Sequence, residues 1–432
     1  MMQPDRLVCL GQVTSNKPLF HRNYMSCATT VDVSPPSQLK SGSLPRAASL
    51  YLLASITVSY LASSSAPTPL YPIYQAEWGF SSLAISFVFG IYAVAVLGAL
   101  LVAGRLSDYV GRRPVLIAAT AVQAATMFLF AFADGLSTLI AARVIQGLST
   151  GAAIAAVGAG MLDMDKARGA VANSVAPASG TALGGVLAGF MVHYLPAPTH
   201  LVYFVLATIF VAQVVGVLLM PESMPPRAGA MASLRPQFSL PAATRQPILV
   251  VAPVLIAVWA LAGFYGSLAP SLVRSRFGLD SSLVGGIALF VLAGSAGISV
   301  LLTQRLEART LMIYGATVLL AGVALAVNSL SYHSATAFFL GTALAGSGFG
   351  TGFQGAIRTV VPLAAPQERG GVLSVIFVVS YLAMGLPAVV AGYLVARSGD
   401  LFLTAREFGA VVMVLAALAL IGTLRRTQGG TT

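Results

Sequence analysis

The chain has 432 residues, of which 57% are hydrophobic and 9% charged, and its mean hydropathy is +0.86. A soluble domain carries charge on about a quarter of its residues, so this composition excludes a water-facing globular surface and requires lipid as solvent. The net charge of +11 is spread singly or in pairs between apolar runs, a pattern of membrane topology and not of a nucleic-acid-binding face.

Residues 1–47 read as a polar, disordered cytoplasmic tail. They lack the basic start, apolar core and small-residue cleavage site of a secretory signal, and Met25 is a candidate start. Cys9 and Cys27, the only cysteines, both fall in this tail, so the rest of the chain holds no disulfide framework or thiolate metal site. No cofactor is expected.

Twelve apolar stretches follow, at 48–68, 82–104, 114–133, 137–161, 168–192, 199–220, 248–271, 282–303, 309–330, 335–358, 371–396 and 403–424. Each approaches the roughly 20 residues that carry a helix across a bilayer core, and the alternation of barrel strands is absent. The predicted fold class is therefore an all-α membrane protein, with six-helix bundles at 48–220 and 248–424, a cytoplasmic linker at 221–247 and a cytoplasmic tail at 425–432. The connecting loops and carboxyl tail on the side shared by linker and termini carry thirteen basic residues: Arg105, Arg112, Arg113, Lys166, Arg168, Arg227, Arg235, Arg245, Arg305, Arg309, Arg369, Arg425 and Arg426. The opposite side carries four, Arg274, Arg276, Arg397 and Arg406, and this imbalance places both termini in the cytoplasm.

The first stretch ends in a run holding Pro67, Pro69 and Pro72, which predicts a broken helix. With Thr57 and Tyr60 it offers hydroxyls to a bound solute. Between the second and third stretches lies Gly104-Arg-Leu-Ser-Asp108-Tyr-Val-Gly111-Arg112-Arg113. Gly104 permits close helix approach, Gly111 a tight turn, and Asp108 can pair with Arg112. This segment resembles the loop motif of the major facilitator superfamily at every motif position. The resemblance covers residues 48–424. It implies twelve spans in two pseudo-symmetric halves that rock around a cavity lined mainly by spans 1, 4, 7 and 10. It also implies that the loop latches the halves, Asp108 lying near the start of the eleventh span at Gly371.

Arg143, Gln146, Gly147, Thr150 and Gly151 share one face of the fourth span. An intramembrane arginine is a functional candidate by default, and the pattern also resembles the superfamily's fourth helix. Arg143, Gln146 and Thr150 are thus substrate or coupling candidates, as are Tyr60, Trp259, Tyr265, Thr351 and Gln354, the last two on a face with Ser347 and Arg358. The alternative role for Arg143 is a structural hydrogen-bonding hub. In the fifth span, Pro177, Gly180, Gly184 and Gly185 form a helix-packing motif that resembles the superfamily's antiporter motif imperfectly, since Thr181 stands where that motif has proline.

Shifting the chain by 201 residues superposes Gly147 on Gly348, Gly151 on Gly352, Arg168 on Arg369, Gly169 on Gly370, Val171 on Val372 and Gly184 on Gly385, the mark of an internal repeat. No carboxylate falls at mid-span, so a coupling proton, though a candidate partner, lacks its usual relay. Asp163 and Asp165 lie nearest. Together these features predict a monomeric, multi-pass plasma-membrane transporter that exports a drug-like or amphipathic small molecule, similar to bacterial twelve-span exporters. The alternatives are uptake of a sugar or organic anion, with Arg143 as the anion's partner, or a channel, receptor or membrane enzyme. His21, His193, His200 and His333 are isolated in the sequence, with no pair at metal-ligand spacing.

Overall fold

The structure is a computed structural model that describes residues 43–236, 238–279 and 281–425. The expectations for Cys9, Cys27, His21, Met25, Arg426 and most of both tails lie outside the described residues.

Twelve long helices make up the described chain: α1 Arg46–Ser65, α2 Ser82–Ala103, α3 Arg112–Ala131, α4 Leu136–Met164, α5 Lys166–Tyr194, α6 Leu201–Leu219, α7 Ala242–Ser267, α8 Ser282–Leu302, α9 Ala308–Ser331, α10 Ala335–Val360, α11 Arg369–Ser398 and α12 Leu401–Arg425. Eleven are long and apolar enough to cross a membrane. The twelfth, α10, has the length but not the apolarity, because its middle, Gly346-Ser-Gly-Phe-Gly-Thr-Gly, trades large apolar side chains for close packing. Local chemistry sets several starts. Ser81 accepts from the Ala84 amide at the head of α2, Asp165 from the Ala167 and Arg168 amides at the head of α5, and Ser334 from the Ala337 amide at the head of α10. Each satisfies amides that the first helical turn cannot pair.

Two boundaries differ from the sequence expectation. The proline run does not end the first span. Thr68–Leu70 forms a short tight turn and Tyr71–Trp78 resumes as helix, so the whole segment Arg46–Trp78 crosses as one bent unit. Pro69 and Pro72 sit at the starts of these two pieces, where a missing N–H costs nothing. The seventh helix begins at Ala242 and not at 248, and carries Pro247 and Pro253 within it.

The helix pairings repeat. In the first half α1 packs on α4, α5 and α6, α2 on α4, and α3 on α4 and α6. In the second, α7 packs on α10, α11 and α12, α8 on α10, and α9 on α10 and α12. Each pairing recurs six helices later, which gives the 201-residue sequence offset its structural meaning. One apolar core lies inside each half, the first around Leu53, Ile56, Met127 and Phe210 and the second around Val254, Leu319 and Ile376. Two seams, α5 on α8 and α2 on α11, join the halves.

Candidate functional site

Both seams run through small residues. A Cβ on Gly286 would meet the backbone of Gly185, one on Gly189 would meet Ser282, one on Gly392 would meet Ser86, and Gly90 faces Gly385 and Val389. These contacts lie toward the ends of the helices remote from the linker, hereafter the far side. There the two halves also exchange a hydrogen bond, Thr68 Oγ1 donating to the Gly266 carbonyl at 3.0 Å. It joins the break after α1 to the end of α7.

Beneath this closure lies a cavity of about 390 Å³, within the range of small-molecule sites. Its lining comes from α1, α2, α5, α7, α8, α10 and α11. Aromatic rings dominate: Trp259 has Phe349, Phe353 and Tyr381 around it at centroid distances of 5.5–5.8 Å, and Phe89 and Tyr92 complete the wall. The polar lining is Ser64, Ser65, Thr68, Asn173, Ser174, Thr181 and Gln354, with no ionisable acid or base among the lining residues beyond the tyrosines. Trp259 Nε1 and Gln354 Oε1 are buried without a hydrogen-bond partner.

Of the eight substrate or coupling candidates, Trp259 and Gln354 line this cavity. The others do not. Tyr60 is buried against Phe210 and hydrogen-bonds Ser149 at 3.2 Å. Tyr265 pairs with Thr342 at 2.7 Å and stacks on Phe338 inside the second half. Thr150 and Thr351 spend their hydroxyls on their own helices, at the Gln146 and Ser347 carbonyls.

Arg143 requires the largest revision. The fourth helix supplies no lining residue, so the expected lining by spans 1, 4, 7 and 10 loses one member and gains α2, α5, α8 and α11. The cause is local. Gly147 and Gly151 press α4 onto α2, where a Cβ would strike Ala95 and Ala99. Arg143, 0% exposed, turns into the core of the first half. Its Nη1 donates to the Ser64 carbonyl at 2.9 Å and to Gln146 Oε1 at 2.8 Å, and its Nη2 donates to the Tyr71 hydroxyl. The rings of Tyr71, Tyr92 and Phe130 lie 5.2–5.8 Å from the guanidinium carbon. The hub stands one residue behind the cavity wall, for Ser64 and Tyr92 line the cavity themselves.

The packing motif of α5 divides its labour. Gly180 and Gly184 admit the α1 backbone at Val58 and Ala62, Gly185 meets α8, and Pro177 and Thr181 face the cavity. The Thr181 carbonyl accepts from Ser65 Oγ at 3.0 Å.

On the linker side, Gly111 has φ +99°, a conformation a side chain would strain, and Glu222 Oε2 lies where its Cβ would point. Arg112 pairs with Asp108 at 2.5 Å and with Asp163 at 3.2 Å. Arg113 Nη2 donates to the Leu218 carbonyl. Glu222, at the head of the linker, accepts from the amides of Arg112, Arg113, Ser223 and Met224 at 2.9–3.1 Å, so a linker carboxylate holds the positive end of α3. Sequence reasoning missed Glu222, whose only signal was an acid placed just past α6. Asp108 pairs within its own loop, its side chain 45% exposed, and the residue facing Gly371 is Ser239 of the linker. Among the described residues no hydrogen bond or ion pair joins Asp108 to the start of α11. Gly104 lies against Ala155 of α4.

Twelve bilayer-length helices in two repeating halves, with a cavity between them, define a membrane transporter. The model of the Major Facilitator Superfamily matches residues 53–382, and the chain belongs to that superfamily. The Cephamycin export protein CmcT of Amycolatopsis lactamdurans is 33% identical over 138 residues, a match spanning 30% of this chain and 28% of that relative. Among solved structures, a mutant of the nucleoside transporter NupG superposes with a TM-score of 0.61 at 14% identity, over 88% of this chain and 98% of the other. That likeness is one of fold.

Proposed function

We propose that the chain exports a neutral or weakly cationic amphipathic compound across the cell membrane by exposing one cavity alternately to its two sides, with linker and termini cytoplasmic. The observation that carries this reading is the lining itself: six aromatic side chains, a few hydroxyls and amides, and no ionised group. Such a wall favours planar apolar surface, and ring faces attract a cation by about 0.5–2 kcal/mol each. The partial match to an export protein supports the outward direction, and the thirteen-to-four distribution of basic residues supports the orientation. Uptake of an organic anion had Arg143 as its partner, and Arg143 is held in the core behind the wall.

The test is transport in proteoliposomes, with neutral, cationic and anionic compounds offered under imposed proton and sodium gradients. Saturable counterflow of a neutral or cationic amphiphile is expected, and carriage confined to sugars or organic anions would refute the reading. Trp259→Ala is expected to raise the KM for such a compound about tenfold, the equivalent of one good ring contact, with the amount of membrane protein unchanged. Gln354→Leu should raise the KM only for compounds with a hydrogen-bond donor.

The loop of Gly104, Asp108, Gly111, Arg112 and Arg113 is proposed to fasten the linker side when the cavity faces outward, Asp108 then leaving its exposed position for the start of α11. Asp108→Asn is expected to cut transport at least tenfold while Arg112, still bound to Asp163 and Ser107, keeps the loop folded. Undiminished counterflow by this variant would remove the latch from the account.

A further inference from the structure

The far side carries an unexplained asymmetry of charge. Its connections in the first half, residues 66–81, 132–135 and 195–200, contain no lysine or arginine, whereas the second half places Arg274, Arg276, Arg397 and Arg406 there. Two of these converge on one ring. The Arg276 guanidinium carbon sits 4.3 Å from the centre of Phe402 and that of Arg406 sits 5.5 Å from the same centre. Arg276 belongs to the short helix Ala269–Phe277 that continues α7, and Phe402 and Arg406 to the first two turns of α12.

Arg276 is held rigidly. Its Nε donates to the Leu330 carbonyl at the end of α9, at 2.7 Å, so three elements fix the plane of the guanidinium. That bond uses Nε alone and leaves the fork of terminal nitrogens, the part that binds an oxyanion in bidentate fashion. Among the described residues no carboxylate pairs with Arg276 or Arg406. The nearest acid in sequence to Phe402, Asp400, is engaged as a cap, accepting from the Leu403 amide at 2.9 Å. The start of α12 adds the positive end of a 25-residue helix.

The surroundings place this cluster at the lipid boundary. Tyr332, the residue after α9, is 81% exposed, and Leu403 beside Phe402 is exposed as well. Exposed tyrosine and leucine at the mouth of a bilayer-length helix mark the level of the headgroups. Two guanidinium groups on one ring, facing that level and with no carboxylate paired to them among the described residues, fit a phosphate ester whose acyl chains lie along α9 and α12.

We propose that Arg276 and Arg406, ordered on Phe402, form a binding site for the phosphate of an anionic phospholipid in the far leaflet. The lipid offsets the mutual repulsion of the two arginines and pins α7 to α12 within the second half. The site lies apart from the transport cavity and does not depend on the identity of the cargo.

The test is thermal unfolding of the purified full chain in detergent, titrated separately with phosphatidylglycerol, phosphatidylcholine and inorganic phosphate. Phosphatidylglycerol is expected to raise Tm at lower concentration than phosphatidylcholine, by about thirtyfold for two arginines near an anionic headgroup. The preference should shrink in Arg406→Gln, an exposed position whose loss leaves the Leu330 bond intact, and vanish in the double variant with Arg276→Gln. An equal response to both lipids, or an unchanged preference in Arg406→Gln, overturns the site. Protection by inorganic phosphate alone to the same extent overturns the lipid as its occupant.

Discussion

Arg143→Met is expected to yield a protein that unfolds at markedly lower temperature and is recovered from the membrane in reduced amount, before any effect on substrate is considered. Among the described residues the arginine is the largest fully buried side chain and meets no carboxylate. Its charge is balanced by the Ser64 carbonyl, Gln146 Oε1, the Tyr71 hydroxyl and three ring faces. Methionine fills much of the volume but supplies none of the donors, and a stranded buried polar group costs about 1–3 kcal/mol. The Ser64 carbonyl is the most consequential of these. It lies at the last turn of α1, just before the proline break, where Pro67 and Pro69 have no amide to offer it. Arg143→Lys restores the charge without the planar fork that reaches three acceptors, and is expected to recover only part of the stability. The decisive measurement is thermal unfolding by fluorescence-detected size exclusion without substrate. Wild-type stability in Arg143→Met combined with lost binding would make the residue a direct ligand and contradict its placement here.

That displacement shows which parts of the molecule could be read from its sequence. Apolar stretches of bilayer length and the 201-residue offset disclosed twelve helices in two like halves, because lipid demands that each span satisfy its own backbone. The loop at Gly104–Arg113 was legible because its glycines and charges serve constraints internal to it. The cavity was less so. Polar residues on α4 and α10 suggested an inward face, yet Thr150 and Thr351 satisfy their hydroxyls on preceding carbonyls, and small glycine faces turn α4 toward α2. On α10 the residues that reach the cavity are Phe349, Gly350, Phe353, Gln354 and Ile357, a stripe that keeps Gln354 of the expected face and leaves out Ser347, Thr351 and Arg358. Aromatic residues are common enough in lipid-facing positions that Phe89, Tyr92 and Tyr381 carried no signal of their own. Which face of a nearly all-apolar helix looks inward is decided by its neighbours, and periodicity within one helix does not encode them.

Glycine contacts between the halves lead to the second large effect. Gly286→Leu should abolish transport while leaving each half folded. A Cβ at this position would strike the Gly185 backbone, and backbone, unlike the end of a flexible side chain, yields only if the helices separate. Most of each apolar core is drawn from the other helices of its own half, so the strain is relieved most cheaply by parting α5 from α8 at the far side, breaking the Thr68–Gly266 bond as it does so. The proposed alternation of the cavity would then be arrested open to the far side. A cysteine at the cavity wall, Ala262→Cys in a chain with Cys9→Ser and Cys27→Ser, reports this directly: a membrane-impermeant maleimide added from the far side should label it in Gly286→Leu and spare it in the parent. Gly286→Ala, with one carbon to accommodate, should fall between the two in both labelling and transport. Labelling no faster than the parent, with transport retained, would mean that α5 and α8 can part without opening the cavity, and the small-residue seam would then be a packing surface and not the gate.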